Sequence, residues 1–105
     1  MAKNLKLKIS AKALQDMENI FKYISVDLAN PSASDKLMQE MRNCLNTVCE
    51  FPESCPKVNN EYFKDKTLRK LIVSNYIIFY KILEEEQVLL AVRVLYGMQN
   101  FSDIL

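Results

Sequence analysis

Three runs of apolar residues dominate the second half of the chain, and two short polar breaks separate them. The breaks are Ser74-Asn75 and the three glutamates that start at Glu84. The runs are rich in β-branched, aromatic and aliphatic residues, which is typical of strands joined by tight turns. The pattern predicts a three-stranded antiparallel meander with strands in Leu68–Val73, Tyr76–Leu83 and Gln87–Tyr96.

The first turn fixes the register of the meander, whereas the second leaves it open. The length of the turn at Glu84 to Glu86 is uncertain, so the pairing beyond it is open by one residue. A slip of one residue moves Arg93 to the opposite face of the sheet. The two-residue first turn, in contrast, predicts the pairs Val73 with Tyr76, Leu71 with Ile78, and Arg69 with Tyr80.

The first half of the chain alternates briefly and then becomes helical. Residues 5–9 alternate leucine or isoleucine with lysine, which predicts a short strand at a sheet edge. Ser10 stands where an N-cap is expected, and a first helix is predicted from Ala11 to Leu28. A second helix is predicted from Ser32 to Phe51, after a break at Pro31 that ends the first helix. The short break predicts a helical hairpin.

The spacing of apolar residues assigns each helix a buried side. For the first helix, the predicted buried stripe consists of Leu14, Met17, Phe21, Ile24 and Leu28, and it is widened by Ala13 and Ile20. The predicted solvent side consists of Lys12, Asp16, Asn19, Lys22 and Asp27.

The elements together predict one α+β domain over residues 1–105, in the order β-α-α-β-β-β. We expect a two-layer fold with an antiparallel sheet and the helical hairpin on one face. The central strand of the meander is apolar on both faces, with Ile78 and Tyr80 on one and Ile77 and Phe79 on the other. Two alternatives explain the second apolar face: the loop from Pro52 and the C-terminal tail cover it, or a protein partner does.

Composition excludes several classes of site. The chain has 105 residues, a net charge of +1 and no histidine, so histidine-based catalysis and the commonest zinc sites are excluded. Three cysteines without a secretory signal favour a reducing compartment over a disulfide framework. We therefore expect a cytoplasmic protein with no metal, no cofactor and no membrane contact. Gly97, the only glycine, suggests a bend that a side chain would obstruct.

Two segments of the meander resemble a known superfamily. Residues 68–80 and 92–100 are similar to the core of the RelE/ParE toxins. Upstream, the residues that resemble the ParE, or plasmid stabilisation, branch are Asp16, Ile20, Tyr23-Ile24, Asn30-Pro31 and Phe51-Pro52. The resemblance implies the toxin of a bacterial type II toxin–antitoxin system, neutralised by a cognate antitoxin whose C-terminal segment wraps the helices and sheet. A peptide that folds on binding needs apolar grooves and strand edges, which agrees with the doubly apolar meander.

The resemblance implies one of two targets. RelE-like members cleave messenger RNA on the ribosome, a reaction that needs a base, an acid and cations for the developing phosphorane charge. Ile77 and Gln99 stand where that branch has arginines, and neither residue carries a positive charge. The match therefore favours a ParE-like inhibitor of DNA gyrase over a ribonuclease, and no sequence-specific DNA binding is expected.

The candidate residues follow from this match. A ribonuclease would use Arg69, Lys70, Arg93 and Tyr96. A structural alternative exists for both arginines: Arg69 pairs with Tyr80 by cation–π contact or hydrogen bond, and Arg93 bonds a carboxylate or carbonyl. A third alternative is an interaction domain without toxicity. The residues predicted to bind a target or partner are Arg69, Lys70, Ile77, Phe79, Arg93, Tyr96 and Gln99.

Overall fold

A computed structural model describes residues 3–58 and 65–97 of the chain. The helices pack on one face of the sheet, which confirms the predicted α+β fold and order of elements. Within the described ranges, no helix is long and apolar enough to cross a membrane. The elements are β1 (Lys6–Ile9), α1 (Ala11–Lys22), a π-helical segment (Tyr23–Asp27), α2 (Pro31–Glu50), β2 (Arg69–Val73), β3 (Tyr76–Leu83) and β4 (Val88–Tyr96).

The strands form one sheet in the order β1-β4-β3-β2. β2, β3 and β4 are the predicted antiparallel meander, and the three pairs predicted across the first turn are all observed. β1 lies at the edge, as expected, but it runs parallel to β4. The sheet is therefore mixed and not purely antiparallel. A parallel pair needs a long crossover connection, and the helices together with β2 and β3 supply it here.

Ser10 joins the end of β1 to β4 and starts α1. Its backbone N–H donates to the carbonyl of Ala91 at 2.9 Å. Its hydroxyl donates to the carbonyl of Val92 at 2.8 Å and accepts from the N–H of Ala13 at 3.0 Å. One N-cap therefore fixes both the edge strand and the rotation of the helix that follows.

The buried side of α1 differs from the predicted stripe. Leu14 and Leu28 are 54% and 55% exposed, and Phe21 is also exposed. Ala13, which the spacing placed only at the margin of the stripe, is fully buried. The cap at Ser10 holds the first turn of α1 against β4, so the small Ala13 faces the sheet. Leu14, Phe21 and Leu28, which are spaced seven residues apart, therefore face outward. The other α1-side residues packed against the core are Met17, Ile20 and Ile24.

The predicted first helix changes its winding before it ends. It is α-helical to Lys22 and then π-helical, and the N–H of Leu28 donates to the carbonyl of Tyr23 at 3.0 Å. Asn30 caps α2, whose first residue is Pro31. π-helical turns are rare and occur often at functional sites, and this one carries the aromatic residue Tyr23.

Two apolar clusters lie on opposite faces of the sheet. The larger one, between the sheet and the helices, contains Met41, Ile78 and Tyr80. The smaller one, on the face that we call the second face, consists of Val58, Leu68, Phe79 and Leu95, with Ile77 and Val92 packed against it.

The first alternative for the second face therefore holds for its centre, because the chain's own Val58 and Leu68 cover Phe79. Part of the face stays open, since Ile72 is 64% exposed. The predicted contribution of the C-terminal tail lies outside the described residues.

A β-bulge settles the register that the sequence left open. Leu83 pairs with Val88 across a four-residue turn, and Phe79 pairs with Arg93. Tyr80 pairs with Ala91, so Val92 is an extra residue in β4. A bulge bends its strand and redirects the neighbouring side chains. Here the redirected side chain is Arg93.

Candidate partner-binding site

Arg93 is bound to Asp16 of α1 by a two-pronged ion pair. Its Nε lies 2.7 Å from Asp16 Oδ2 and its Nη2 lies 3.0 Å from Oδ1. The N–H of Val94 donates to the same Oδ2 at 2.9 Å. Asp16 is therefore not on the solvent side of the helix, as the apolar spacing predicted. It fastens α1 to β4.

Burial makes this ion pair a structural element. The side chains of Arg93 and Asp16 are only 16% and 13% exposed. The hydrogen bonds that Arg93 donates to Asp16 raise the pKa of Arg93, which therefore stays charged. Paired geometry of this kind is the strong form of a charged hydrogen bond. The structural alternative for Arg93, a bond to a carboxylate, is the arrangement observed.

A cavity of about 550 Å³ opens beside this ion pair. α1 and the π segment form one wall, and the β2–β3 turn and the end of β4 form the other. The lining residues are Asp16, Asn19, Ile20, Tyr23, Leu28, Asn75, Tyr76, Val94 and Tyr96.

Three tyrosines give the cavity its chemical character. The rings of Tyr76 and Tyr96, which are paired across β3 and β4, have centroids 5.7 Å apart and are tilted by 51°. Tyr23 of the π segment lines the same cavity. Burial raises the pKa of Tyr76, and the nearby phenols of Tyr23 and Tyr96 raise it further. The phenol of Tyr76 is therefore neutral at physiological pH.

Gly97 allows the end of β4 to approach the β2–β3 turn. Its N–H donates to the carbonyl of Asn75 at 2.8 Å. A Cβ at this position would lie 3.2 Å from that same oxygen, which is closer than most such contacts. The predicted obstruction is therefore observed, and it positions Tyr96 and Asn75 on one rim.

Arg69 and Tyr80 have structural contacts of their own. Arg69 Nη1 donates to the carbonyl of Cys55 at 2.6 Å, and Tyr80 Oη donates to the carbonyl of Pro52 at 2.9 Å. Tyr80 is fully buried, and burial raises its pKa well above the ordinary value. The two side chains hold the loop after α2 against β2 and β3.

The remaining predicted residues are spread over the second face. Lys70 is exposed on β2 and pairs across the sheet with Phe79. Phe79 is 1% exposed, so its ring lies in the smaller cluster rather than on the surface. Ile77 is partly buried beside it. Gln99 lies outside the described residues.

The structure therefore brings two of the predicted residues, Arg93 and Tyr96, to the cavity region and places Arg69 and Lys70 on β2. Sequence reasoning missed Tyr23 and Tyr76 as cavity residues. Both tyrosines lie in segments that carry the family resemblance, but the resemblance gave neither a place in a cavity. That resemblance is a weak signal without the fold.

Comparisons with known proteins agree with this architecture. The chain matches the family model of the ParE toxin of the type II toxin–antitoxin system parDE over residues 7–101. No curated protein matches the chain significantly in sequence.

Several solved structures share the fold at low sequence identity. The chromosomal ParDE toxin–antitoxin system of P. aeruginosa is 14% identical, with a TM-score of 0.69 over 90% of this chain and 97% of that chain. The RelBE2 complex of Mycobacterium tuberculosis is 13% identical, with a TM-score of 0.60 over 89% and 98%. The isolated RelE toxin of E. coli is 16% identical, with a TM-score of 0.58 over 95% and 94%. Because the family model spans residues 7–101, the chain belongs to the ParE family of toxins of type II toxin–antitoxin systems, within the RelE/ParE superfamily.

Proposed function

We propose that this toxin arrests growth by binding DNA gyrase, and that a cognate antitoxin neutralises it. The observation that carries the proposal is the state of the two arginines a ribonuclease would need. Arg93 is bound by Asp16, and Arg69 is bound by the carbonyl of Cys55. A cation that stabilises a phosphorane has to point its donors at the reacting phosphate, and Arg93 Nε, Arg93 Nη2 and Arg69 Nη1 already donate to groups of the protein.

The position of Ile77 supports the same proposal. Its apolar side chain packs against Phe79 and Leu95 on the second face, where the ribonuclease branch has an arginine. The features that remain are docking features: a cavity and an exposed apolar row that runs along α1 through Leu14 and Phe21. Such features suit recognition of proteins. The antitoxin assignment is further supported by the ParDE and RelBE complexes among the structural relatives.

The test is a supercoiling assay with purified gyrase. Toxin at micromolar concentration should block supercoiling of relaxed plasmid, and an equimolar amount of antitoxin should restore it. Toxin unfolded in urea and diluted into the assay just before use is the control for nonspecific effects. Full supercoiling activity in the presence of folded, growth-arresting toxin would exclude gyrase as the target.

A ribosome-dependent ribonuclease is the second candidate, because the second face carries lysines. Lys6 and Lys8 are exposed on β1, and Lys8 and Lys81 flank Leu90 in one row across the sheet. Lys70 is exposed on β2. This candidate predicts codon-biased cuts in translated messages that Lys70→Ala abolishes. Intact transcripts after induced expression would contradict it.

A further inference from the structure

We propose that the cavity bounded by Tyr23, Tyr76 and Tyr96 is a cation site that receives an arginine or lysine side chain of the antitoxin. The choice of the antitoxin as the source rests on the proposed function, whereas the choice of a cation rests on the cavity itself. Tyrosine faces attract cations electrostatically, and several converging rings form the cages that proteins use for ammonium and guanidinium groups.

The arrangement of the rings matches such a cage. Tyr76 and Tyr96 are tilted by 51° with centroids 5.7 Å apart, so they form a corner and not a stacked pair. Tyr23 closes a third side from the π segment, where the widened helical turn places it. Tyr23 and Tyr96 are 51% and 45% exposed, so part of their ring surface is available to a ligand.

The charges around the cavity do not oppose a cation, because Asp16 and the adjacent Arg93 form a neutral pair. Asp16 is the only ionised side chain among the described lining residues, and no lysine or arginine lines it. The positive charge of the adjacent Arg93 is balanced by Asp16 at 2.7 Å, which limits its repulsion of a second cation.

Hydrogen-bond acceptors are present for the donors of a guanidinium. A carboxylate oxygen has two lone pairs, and Asp16 Oδ1 receives only one described hydrogen bond, from Arg93. The side-chain oxygen of Asn19 accepts one described bond, from Gln15 at 2.9 Å, and retains a second lone pair.

The cavity continues into a second one, which gives room for the chain that carries the side chain. The second cavity has about 470 Å³ and shares Tyr23, Leu28, Asn75 and Tyr76 with the first. It extends along α2 to Lys36 and Glu40. An extended segment can therefore run past Tyr23 along α2 while one basic side chain enters the tyrosine cage.

The first experiment measures the preference for a cation with a small probe. The probe is N-acetylarginine amide, and its neutral isostere N-acetylcitrulline amide is the matched ligand. Binding is followed through the tyrosine ring resonances of the purified toxin by NMR titration. We expect the arginine probe to shift the signals of the three cage tyrosines and to bind about 2- to 30-fold more tightly than the citrulline probe. Equal affinity for both probes would overturn the proposal.

Variants locate the probe on the protein. Tyr96→Leu removes one ring and should weaken binding of the arginine probe about 2- to 30-fold, whereas Tyr96→Phe keeps the ring face and should stay within about twofold. Tyr23→Leu provides a second exposed position with the same expectation. Phe51→Leu is the control, because Phe51 is exposed outside this cavity. Unchanged binding in a folded Tyr96→Leu and a folded Tyr23→Leu would overturn the cage.

The second experiment assigns the occupant. Each arginine and lysine in the C-terminal half of the antitoxin is changed to alanine, one at a time. The affinity of each antitoxin variant is then measured for the wild-type toxin and for the Tyr96→Leu toxin. One basic position should lose affinity with the wild-type toxin and lose markedly less with the variant. Additive losses at every position would exclude the antitoxin as the source of the cation. A toxin that does not inhibit gyrase can still be tested in both experiments. The gyrase proposal and the cation-site proposal can therefore be refuted independently.

Discussion

At the scale of single residues, the neighbours of a side chain decide its role more than its type does. Asp16 has the spacing of a solvent-facing residue on α1, yet it makes three hydrogen bonds to β4. The reason is the extra residue Val92, which turns Arg93 toward the helix. Neither the bulge nor its effect on Arg93 is visible in the pattern of apolar residues, which explains why the sequence misplaced Asp16.

Asp16→Asn should destabilise the protein by about 2–4 kcal/mol, because it leaves the largely buried charge of Arg93 without a counter-charge. Urea unfolding followed by circular dichroism measures the change. Glu53→Gln is the matched control: it removes one carboxylate of an exposed ion pair with Lys3 at 3.5 Å and should change stability by less than about 0.5 kcal/mol.

A double-mutant cycle with Arg93→Met completes this test. In the Asp16→Asn background, Arg93→Met should lower the free energy of unfolding much less than it does in the wild type, because the ion pair is already broken. Strictly additive costs would contradict the role assigned to the ion pair.

At the scale of elements, the sequence was informative where a connection was short. The two-residue turn at Ser74-Asn75 leaves a single register, and all the predicted pairs across it are observed. The rotation of α1 about its axis, in contrast, could not be predicted from the sequence. Both a row through Leu14 and a row through Ala13 have helical spacing, and the contact of Ser10 with β4 selects the second. The direction of β1 depends on the same long-range contact.

Ser10→Ala should therefore cost more than the loss of an ordinary cap. It removes the bond to Ala13 and the bond to the carbonyl of Val92, so we expect a loss of about 2 kcal/mol. Asn30→Ala is the matched control, since the one described hydrogen bond of the Asn30 side chain is with the N–H of Ala33, in the helix that it caps. It should cost about 1 kcal/mol. Thermal or urea unfolding of both variants gives the comparison, and equal losses would show that the Val92 contact contributes nothing.

At the scale of the whole molecule, the sheet is packed on both sides by its own chain, so folding depends on both layers at once. The larger cluster joins the helices to the sheet, and the smaller one brings Val58 and Leu68 over the second face. Tyr80 links the two layers through the loop, because its ring lies in the larger cluster and its hydroxyl reaches Pro52. Its ionisation is therefore coupled to global unfolding.

The stability of the protein should fall above pH 10 partly through Tyr80. Burial raises its pKa in the folded state, so the stabilisation is complete below the unfolded pKa of about 10 and is lost as the pH rises toward the folded pKa. Tyr80→Phe should be less stable by about 1 kcal/mol at pH 7, because it leaves the carbonyl of Pro52 unpaired.

Above pH 10, the difference in free energy of unfolding between the wild type and Tyr80→Phe should narrow by about 1 kcal/mol per pH unit. Urea unfolding at pH 7, 9 and 11 measures it, and the lysines and the other tyrosines contribute equally to both proteins. A gap that stays constant with pH would contradict the assignment to Tyr80.

The extra residue Val92 has a consequence for comparing this chain with its relatives. A relative whose last strand is regular has one residue fewer between the positions equivalent to Ala91 and Arg93. An ungapped alignment that is correct on one flank of Val92 then pairs each residue on the other flank with a residue of the relative that points to the opposite face of the sheet. A gap placed at Val92 restores the correspondence. For such a relative, transfer of residue roles to Arg93 and Tyr96 is valid only after that single-residue gap has been introduced.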